Sequence, residues 1–403
     1  MRTMKEMISI PESLWIGLDD TDSLAGGCTT EIFHRMLCDL DPYIEVIEAR
    51  LVRLWPFAPR RTRGNAAVCA HVSVKDRHEF LDKLSSYYNQ FIEPLKGQVQ
   101  PSHHSSREQV ASDPGLVVFE DQPDEHWYYR GVRGIVHEHE LPKSLLSFGG
   151  NGKIGATCAV AWRANISTWE VIAYRKSTTS KRLICLETLE EINNYDGNFL
   201  SMDSKNQRQL VSPKGNSPVL FGVRGLHQDI VVNSGQMLAN SSKTESISGI
   251  RLFRTNQATN DHIESVLNIQ IQSKQIQNRH VILRGTNGEL LKIFYESGLM
   301  NRYAKLLECG DDISIRGLKD SDGLIHVENL KIDFIEPRKK KRPNCVSCDR
   351  TMKSMGKGQG IRCPTCKNVQ ADSFDTFIPN IPVEMWLEPP DDQRRHLARP
   401  LNL

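Results

Sequence analysis

A chain of 403 residues has room for two to four domains, and its hydrophobic share of 39% is enough for real cores. Its 51 basic and 49 acidic residues leave a net charge of +2, which excludes a polycation, so any nucleic-acid surface must come from local segregation of charge. No apolar run reaches the length of a membrane span, and MRTMKEMISIPES has neither the apolar core nor the small-residue cleavage site of a signal peptide, so a cytoplasmic protein is expected.

Leu14, Trp15, Ile16 and Leu18 predict a short buried strand. Asp19, Asp20 and Asp22 follow, then Gly26 and Gly27. Cys28-Thr29-Thr30 then open a run with helical spacing (Ile32, Phe33, Met36, Leu37, Leu40). Three carboxylates at the end of a buried strand repel one another unless a cation joins them, and Mg²⁺ prefers carboxylate oxygens together with substrate phosphates. A helix N-terminus beside them presents N–H groups to phosphate. The plain alternative is an Asp-rich turn with a Thr helix cap.

Val46 to Leu54 reads as a strand, and the turn after it gathers Arg50, Arg53, Arg60, Arg61 and Arg63 into a candidate phosphate or RNA clamp; a solvated rim is the alternative. Ala66 to Val74 is a second strand, and residues 76–95 have helical spacing. Residues 97–115 are polar and predict a surface loop in which His103 and His104 are solvated. Leu116 to Phe119 reads as a strand and 125–137 as helix-like. Ser147 to Gly155 carries four glycines in seven positions and can cradle phosphate, although no clear strand leads into it and a plain glycine turn is the competing reading. Trp169 to Arg175 and Leu183 to Leu186 read as strands. In VLFGVRG, Arg224 stands between glycines, where it suits an anion contact or a structural turn. Asn256, Gln257, Asp261 and His262 form a polar cluster able to read base edges or hold a small cation.

From Val266 the pattern changes to five short strands, with a helical piece at Tyr303 to Leu307 after the third. This is the order of an OB-fold, and a generic small barrel is the alternative. The linker Glu336 to Pro343 holds Arg338, Lys339, Lys340, Lys341 and Arg342, a candidate phosphate-backbone contact. Cys345, Cys348, Cys363 and Cys366 are two CxxC pairs able to close around one structural Zn²⁺. The other six of the ten cysteines are scattered singly, which suits a reducing compartment. The Pro-rich, then basic tail (Arg394, Arg395, His396, Arg399) is expected to pack as an extended segment against another domain.

The stretch WIGLDDTDS…GGCTT resembles the start of the archaeal tRNA agmatinylcytidine synthetases. So, in family order, do Arg63-Gly64-Asn65, SFGGNG, VLFGVRG, TNQ at Thr255 to Gln257, the paired CxxC motifs and RRHLARPL, from about residue 14 to residue 401. This chain has Ala66 and Ala258 where the family has Gly, and a shorter segment after its G-N-G. The resemblance implies an α+β multidomain protein: a kinase-like α/β domain (1–125), a ferredoxin-like domain (126–262), an OB-fold β-barrel (263–335), a zinc ribbon (343–375) and a C-terminal tail (376–403).

It further implies an ATP-dependent ligase that attaches agmatine to C2 of the wobble cytidine of an isoleucine tRNA with a CAU anticodon, so that the anticodon reads AUA. The base is activated by a phosphoryl group. Asp19, Asp20 and Asp22 would hold Mg²⁺ and Thr29 would be phosphorylated. Gly26, Gly27, Arg63, Gly64, Asn65, Gly150, Asn151, Gly152 and Lys153 would bind ATP phosphates. No obligate protein partner and no membrane are implied. The competing reading is a non-catalytic nucleic-acid-binding protein built on the OB-fold and ribbon, for which the acidic turn is structural; three Asp with Thr29 separate the two, since a simple binder needs neither.

Overall fold

The computed structural model describes residues 12–22, 27–61, 64–97, 110–178, 181–203, 208–213 and 217–403. The chain divides into two compact units: residues up to Glu264 together with Asp391–Leu403, and Ser265–Pro390.

The first unit is built on one nine-stranded sheet. Its first half runs β1 (Glu12–Asp19), α1 (Thr29–Asp39), β2 (Ile44–Arg53), β3 (Ala66–Val74), α2 (Arg77–Tyr87), β4 (Gly115–Phe119). These strands lie in the order β4-β1-β3-β2, every pairing antiparallel. Then come α3 (His126–Arg133), β5 (Leu146–Gly149), which extends the β4 edge, and α4 (Gly152–Ala161). β1 is apolar on both faces because both are covered. Leu14, Ile16 and Leu18 meet Phe33, Met36 and Phe80 from α1 and α2. Trp15 shares a second core with Trp127 and Tyr128 from α3 and Ala156 and Ala159 from α4. That two-sided burial explains the continuous apolar run in the sequence.

The second half runs β6 (Thr168–Arg175), α5 (Leu186–Asn193), β7 (Asn198–Phe199), a small hairpin of β8 (Met202–Asp203) and β9 (Arg208–Gln209), β10 (Val219–Gly225), α6 (Gln228–Asn240) and β11 (Ile247–Thr255). Its order in the sheet is β11-β6-β10-β7, so with the hairpin set aside both halves are βαββαβ units of the same topology. They join edge to edge through a parallel pairing of β11 with β2.

The second unit contains β12 (Leu267–Gln277), β13 (His280–Gly285), β14 (Leu290–Ile293), α7 (Leu299–Ala304), β15 (Asp312–Lys319) and β16 (Ile325–Phe334). β14 also pairs with β16, which closes these five strands into a barrel around Ile271, Leu283, Leu291, Ile315 and Ile332. β17 (Arg338–Lys341), β18 (Lys353–Ser354), β19 (Ile361–Arg362), β20 (Val369–Gln370), β21 (Asp375–Phe377) and β22 (Trp386–Leu387) complete the unit, and β22 adds to β16.

Several expectations are corrected. Leu183–Leu186 is not a strand: Leu186, Leu189 and Ile192 recur at helical spacing, and the last two are fully buried on α5. A strand does lead into the glycine loop; β5 is a half-exposed edge strand, so it lacks the apolar run that marks a buried one. The helical piece of the barrel begins at Leu299 rather than Tyr303. A division at 125/126 falls before α3, β5 and α4, all of which pack on the first half. Residues 391–403 of the tail belong to the first unit. Arg338–Lys341 is a strand paired with β21, not a free linker.

Candidate functional site

β1 runs out at Asp19 beneath α4, and the close approach needs glycines. A Cβ on Gly152 would strike the Asp19 carbonyl, and one on Gly155 would strike the Asp19 carboxylate. Asp19 accepts the Asp20 amide (2.7 Å). Asp20 has φ +58°, which turns the chain back toward α1. Burial, then the neighbouring Asp20, pushes the Asp19 carboxyl well up from its usual range. Burial pushes Asp20 up to about 7, opposed by the Asp113 amide and by Arg60. Carboxylic acids buried and crowded in this way fit a divalent ion and its phosphate ligands. Among the described residues, only the four cysteines bring three or more ligand atoms together closely enough to share one ion; the three carboxylates are not gathered in that way.

Thr29 is the first residue of α1. Its hydroxyl accepts from Thr21 (3.2 Å) and makes no helix-capping bond, so the cap reading is not what the structure has. Asp19, Asp20, Asp22 and Thr29 all line one cleft of about 870 Å³ in the first unit, a volume within the usual range for ligand sites. The cleft is also walled by Arg53, Arg60, Arg61, Gly64 and Asn65, by Glu170 and Arg224 of the second half, and by residues of the tail from Asp391 to His396.

Other predicted residues have different jobs. Gly26 and Arg63 lie outside the described residues, as do His103 and His104. Gly27 has φ +79° and shapes the turn before α1. Asn65 donates its amide to the Trp55 carbonyl (2.6 Å) and so fixes the arginine turn. Arg50 is not in the clamp: it is 6% exposed, stacked 4.4 Å over Trp15 and bonded to the Trp162 carbonyl.

Asn151 and Gly152 of the glycine loop line the same cleft, while the loop's backbone amides bond within the protein. The backbone amides of Gly150, Asn151, Gly152 and Lys153 donate to the Pro114 carbonyl, the Asp113 carboxylate, the Asp113 carbonyl and the Gly150 carbonyl. Lys153 reaches Glu138 (2.6 Å). The loop's amides are therefore occupied, chiefly in holding the 113–114 turn. Asn256, Gln257 and His262 are at most 1% exposed and are interior scaffold rather than base readers. Asn256 brackets the Arg53 backbone from both sides (2.8 and 2.9 Å), Gln257 holds Glu170, and Asp261 accepts from Tyr128.

Asp113 is the residue that sequence reasoning missed. Its amide bonds to the Asp20 carboxylate (3.0 Å), its own carboxylate takes the Asn151 amide and side chain (2.8 Å each), and Lys96 sits at 3.1 Å. Burial works against the charge, yet the Asn151 and Lys96 contacts outweigh it and pull its carboxyl down to about 2. It ties the acidic turn to the glycine loop. The tight Ser-Asp-Pro-Gly turn at 112–115 was the available signal.

In the second unit the sulfurs of Cys345, Cys348, Cys363 and Cys366 lie within 4.8 Å of one another. Asp349 and Lys367 take positive φ, and the Cys345 and Cys363 amides bond back to Arg350 and Asn368, giving two matching knuckles. The local core is only Cys345, Met352, Ile361 and Cys363, too little to hold a ribbon without a metal. Of the basic run, Arg338 is buried and paired with Asp311 and Glu308, which removes it from an RNA surface; Lys339, Lys340 and Lys341 are exposed, and Arg342 stacks on Phe374.

Domain models of one family match three segments: the TiaS TCKD domain at 15–151, the TiaS FLD domain at 150–262 and the TiaS C-terminal zinc ribbon domain at 342–379. The tRNA 2-agmatinylcytidine synthetase TiaS of Cenarchaeum symbiosum, named for an isoleucine tRNA, is 30% identical across 96% of this chain and 92% of that protein. The TiaS of Pyrococcus horikoshii is 26% identical across 97% of each. The chain belongs to the TiaS family.

A crystal structure of apo TiaS superposes with a TM-score of 0.71 at 25% identity, and one of TiaS in complex with its isoleucine tRNA and ATP with 0.78 at 24%; each covers 97% of both chains. Against the TiaS pattern, Ala258 holds φ +54° where the family has glycine, a left-handed residue that costs about 1 kcal/mol. Its amide donates to the His396 carbonyl (2.8 Å), which ties this turn to the tail.

Proposed function

We propose that this chain is an ATP-dependent ligase that joins agmatine to C2 of the wobble cytidine of an isoleucine tRNA with a CAU anticodon, in keeping with the agmatinylcytidine synthetases it is related to. The observation that carries the reading is Thr29, 6% exposed, in one cleft with Asp19, Asp20 and Asp22. A nucleic-acid binder has no use for a buried acidic turn beside a threonine hydroxyl.

Asp19, Asp20 and Asp22 would hold Mg²⁺ against the ATP phosphates, and the ion would supply charge neutralisation for phosphoryl transfer. Asp113 keeps Asp20 in register. Thr29 accepts a phosphoryl group. Arg60, Arg61 and the Gly64-Asn65 turn, which line the same cleft, would meet the phosphates, and Gly27, at φ +79°, sets the turn into α1. The cytidine C2 oxygen is then phosphorylated, and the amine nitrogen of agmatine displaces it. An anticodon loop suits this chemistry because its bases are unpaired and reachable.

The two βαββαβ halves are read as the kinase-like and ferredoxin-like domains, the closed barrel as an OB-fold, and 343–375 as a zinc ribbon whose four cysteines bind structural Zn²⁺. The exposed Lys339, Lys340 and Lys341 track tRNA phosphates. These parts suit a cytoplasmic enzyme with no helix long and apolar enough to cross a membrane among the described residues.

The test is product mass after incubating purified chain with tRNA transcript, ATP, Mg²⁺ and one amine at a time. Agmatine should add to the wobble cytidine and other amines should not. Labelled phosphate from γ-labelled ATP should appear on wild type and be absent from Thr29→Ala, with Thr30→Ala as control. No modification under any amine would sink the reading.

A further inference from the structure

The cleft holds a second group of charges that the acidic turn does not use. Arg53 ends β2 with its backbone pinned on both sides by Asn256. Its Nε is buried and, among the described residues, has no hydrogen-bond partner. Arg224 of β10 donates its Nε to Glu170 Oε1 (3.1 Å), and Gln257 donates to Glu170 Oε2 (2.5 Å), so both oxygens of that carboxylate, 3% exposed, are already engaged. Gly222 leaves the room Glu170 fills, and Gly64 leaves room beside the Arg53 Nη1, since a Cβ there would come within 3.0 Å. The tail delivers His396 to the same place. Arg53 first, then burial, then Arg224 hold its imidazole well below the usual histidine range and therefore neutral.

Two guanidiniums, one carboxylate and a neutral imidazole leave one positive charge unmatched in a water-poor corner of an open cleft. Such a charge is costly unless an anion completes it. The guanidinium fork fits a tetrahedral phosphate with two parallel bonds. Cys28, next to Thr29, is close enough to feel Asp22 and for Arg53 to feel it in turn, so the corner lies near the residue expected to carry phosphate.

We propose that Arg53 and Arg224 form a phosphate subsite separate from the metal-and-triphosphate end, taking a phosphate oxyanion of the RNA substrate. This rests on the ligase reading and deepens it. The shared chemistry has two sources. One is the phosphoryl group on the cytidine oxygen: as the amine nitrogen bonds to C2, the C2–O2 bond breaks, and the electron pair leaves on the phosphate, which also takes up the amine's proton. The other is a backbone phosphodiester beside that nucleotide.

The probe is inorganic phosphate, titrated by calorimetry into full-length, zinc-loaded chain whose triphosphate end is filled with a non-hydrolysable ATP analogue and Mg²⁺. Wild type should bind one phosphate, Arg53→Met and Arg224→Met should bind it about tenfold more weakly, and Arg224→Lys should fall between. Glu170→Gln should bind it several-fold more tightly, a gain that misfolding does not produce. Steady-state rates then separate the sources: a loss falling on kcat assigns the base-borne phosphoryl group, and one falling on the KM for tRNA assigns the backbone. Phosphate affinity unchanged across the four variants overturns the proposal. So does loss of phosphate binding in wild type when the ATP analogue is present, because the arginines then belong to the nucleotide. Phosphate binding is read without RNA or amine, so it stands or falls apart from the ligase reading itself.

Discussion

The two halves of the nine-stranded sheet share one topology and finish their first strands in opposite ways. β1 ends on Asp19, Asp20 and Asp22, three acids crowded into four positions, with Asp19 and Asp20 pushed toward protonation. β6 ends on Arg175, whose side chain is 2% exposed and is closed by Glu245 through two bonds, 2.5 and 3.2 Å. The same end of the same fold is thus completed internally in one half and, on the reading proposed above, left for a ligand in the other. A charge imbalance at a strand end marks function; the same position balanced marks structure.

The strongest test of this contrast is Asp20→Asn. Removing a charge from a self-repelling cluster should leave the fold as stable as wild type or more so, while ATP-dependent tRNA modification falls at least about a thousandfold, because the site loses a metal ligand. Near-normal turnover at saturating Mg²⁺ would remove the acidic turn from the chemistry.

Asp113→Asn comes next. The substitution keeps the size of the side chain, weakens the bonds to Asn151 and Lys96, and loosens the loop that keeps Asp20 in register. Modification should slow about ten- to a hundredfold with tRNA affinity preserved, and the Mg²⁺ concentration for half-maximal rate should rise. An unchanged Mg²⁺ requirement would make Asp113 a fold residue only.

In the second half the signs reverse. Glu245→Ala strips a buried guanidinium of its carboxylate and should cost about 3 kcal/mol of stability, read from urea unfolding. Activity per folded molecule should stay within a few-fold of wild type. A large loss of activity at full folding would mean that the second half's closed end also serves the reaction.

What could be read in advance follows the same divide. The acidic turn, the thiolate knuckles and the alternating strands of the barrel were legible because chemistry or periodicity is local in them. The repeated βαββαβ plan was not, because β7 is only two residues long and a hairpin is inserted after it, which hides the second copy. The glycines of SFGGNG read as a phosphate loop; Gly149 and Gly150 also close on Pro114 and Asp113, and Gly152, with Gly155 beyond the motif, lets α4 press on β1, a contact made by residues more than a hundred positions apart. Asn256 and Gln257 read as base or cation contacts because they are polar; their partners, the Arg53 backbone and Glu170, are distant in sequence. The same holds for Arg338, whose buried partner Asp311 lies in the turn before β15.

The smallest expected effect at neutral pH lies where the halves clasp. Arg251 of β11 donates its Nε to His34 Nδ1 of α1 (2.9 Å), His34 stacks on Tyr174 of β6 with ring centres 5.1 Å apart, and the Tyr174 hydroxyl reaches the Thr30 carbonyl (3.0 Å). Gly249 provides the space, since a Cβ there would collide with the imidazole. Cys38 is the other polar neighbour, 3.8 Å from Nδ1. Burial first, then the Arg251 charge, holds His34 neutral down to about 4, against an ordinary value of 6.5. An unfolded chain therefore takes up this proton near 6.5 while the folded chain refuses it until about 4. Stability from the neutral imidazole is complete above 6.5 and is lost as the pH falls through that window. His34→Gln keeps an acceptor for Arg251 and cannot titrate. Carboxylates titrate in the same range, so the quantity to follow is the difference between wild type and variant in urea midpoint. That difference should be flat above pH 6.5 and move in the variant's favour toward pH 4. Parallel curves across the window would show that His34 is not the group that opens the clasp.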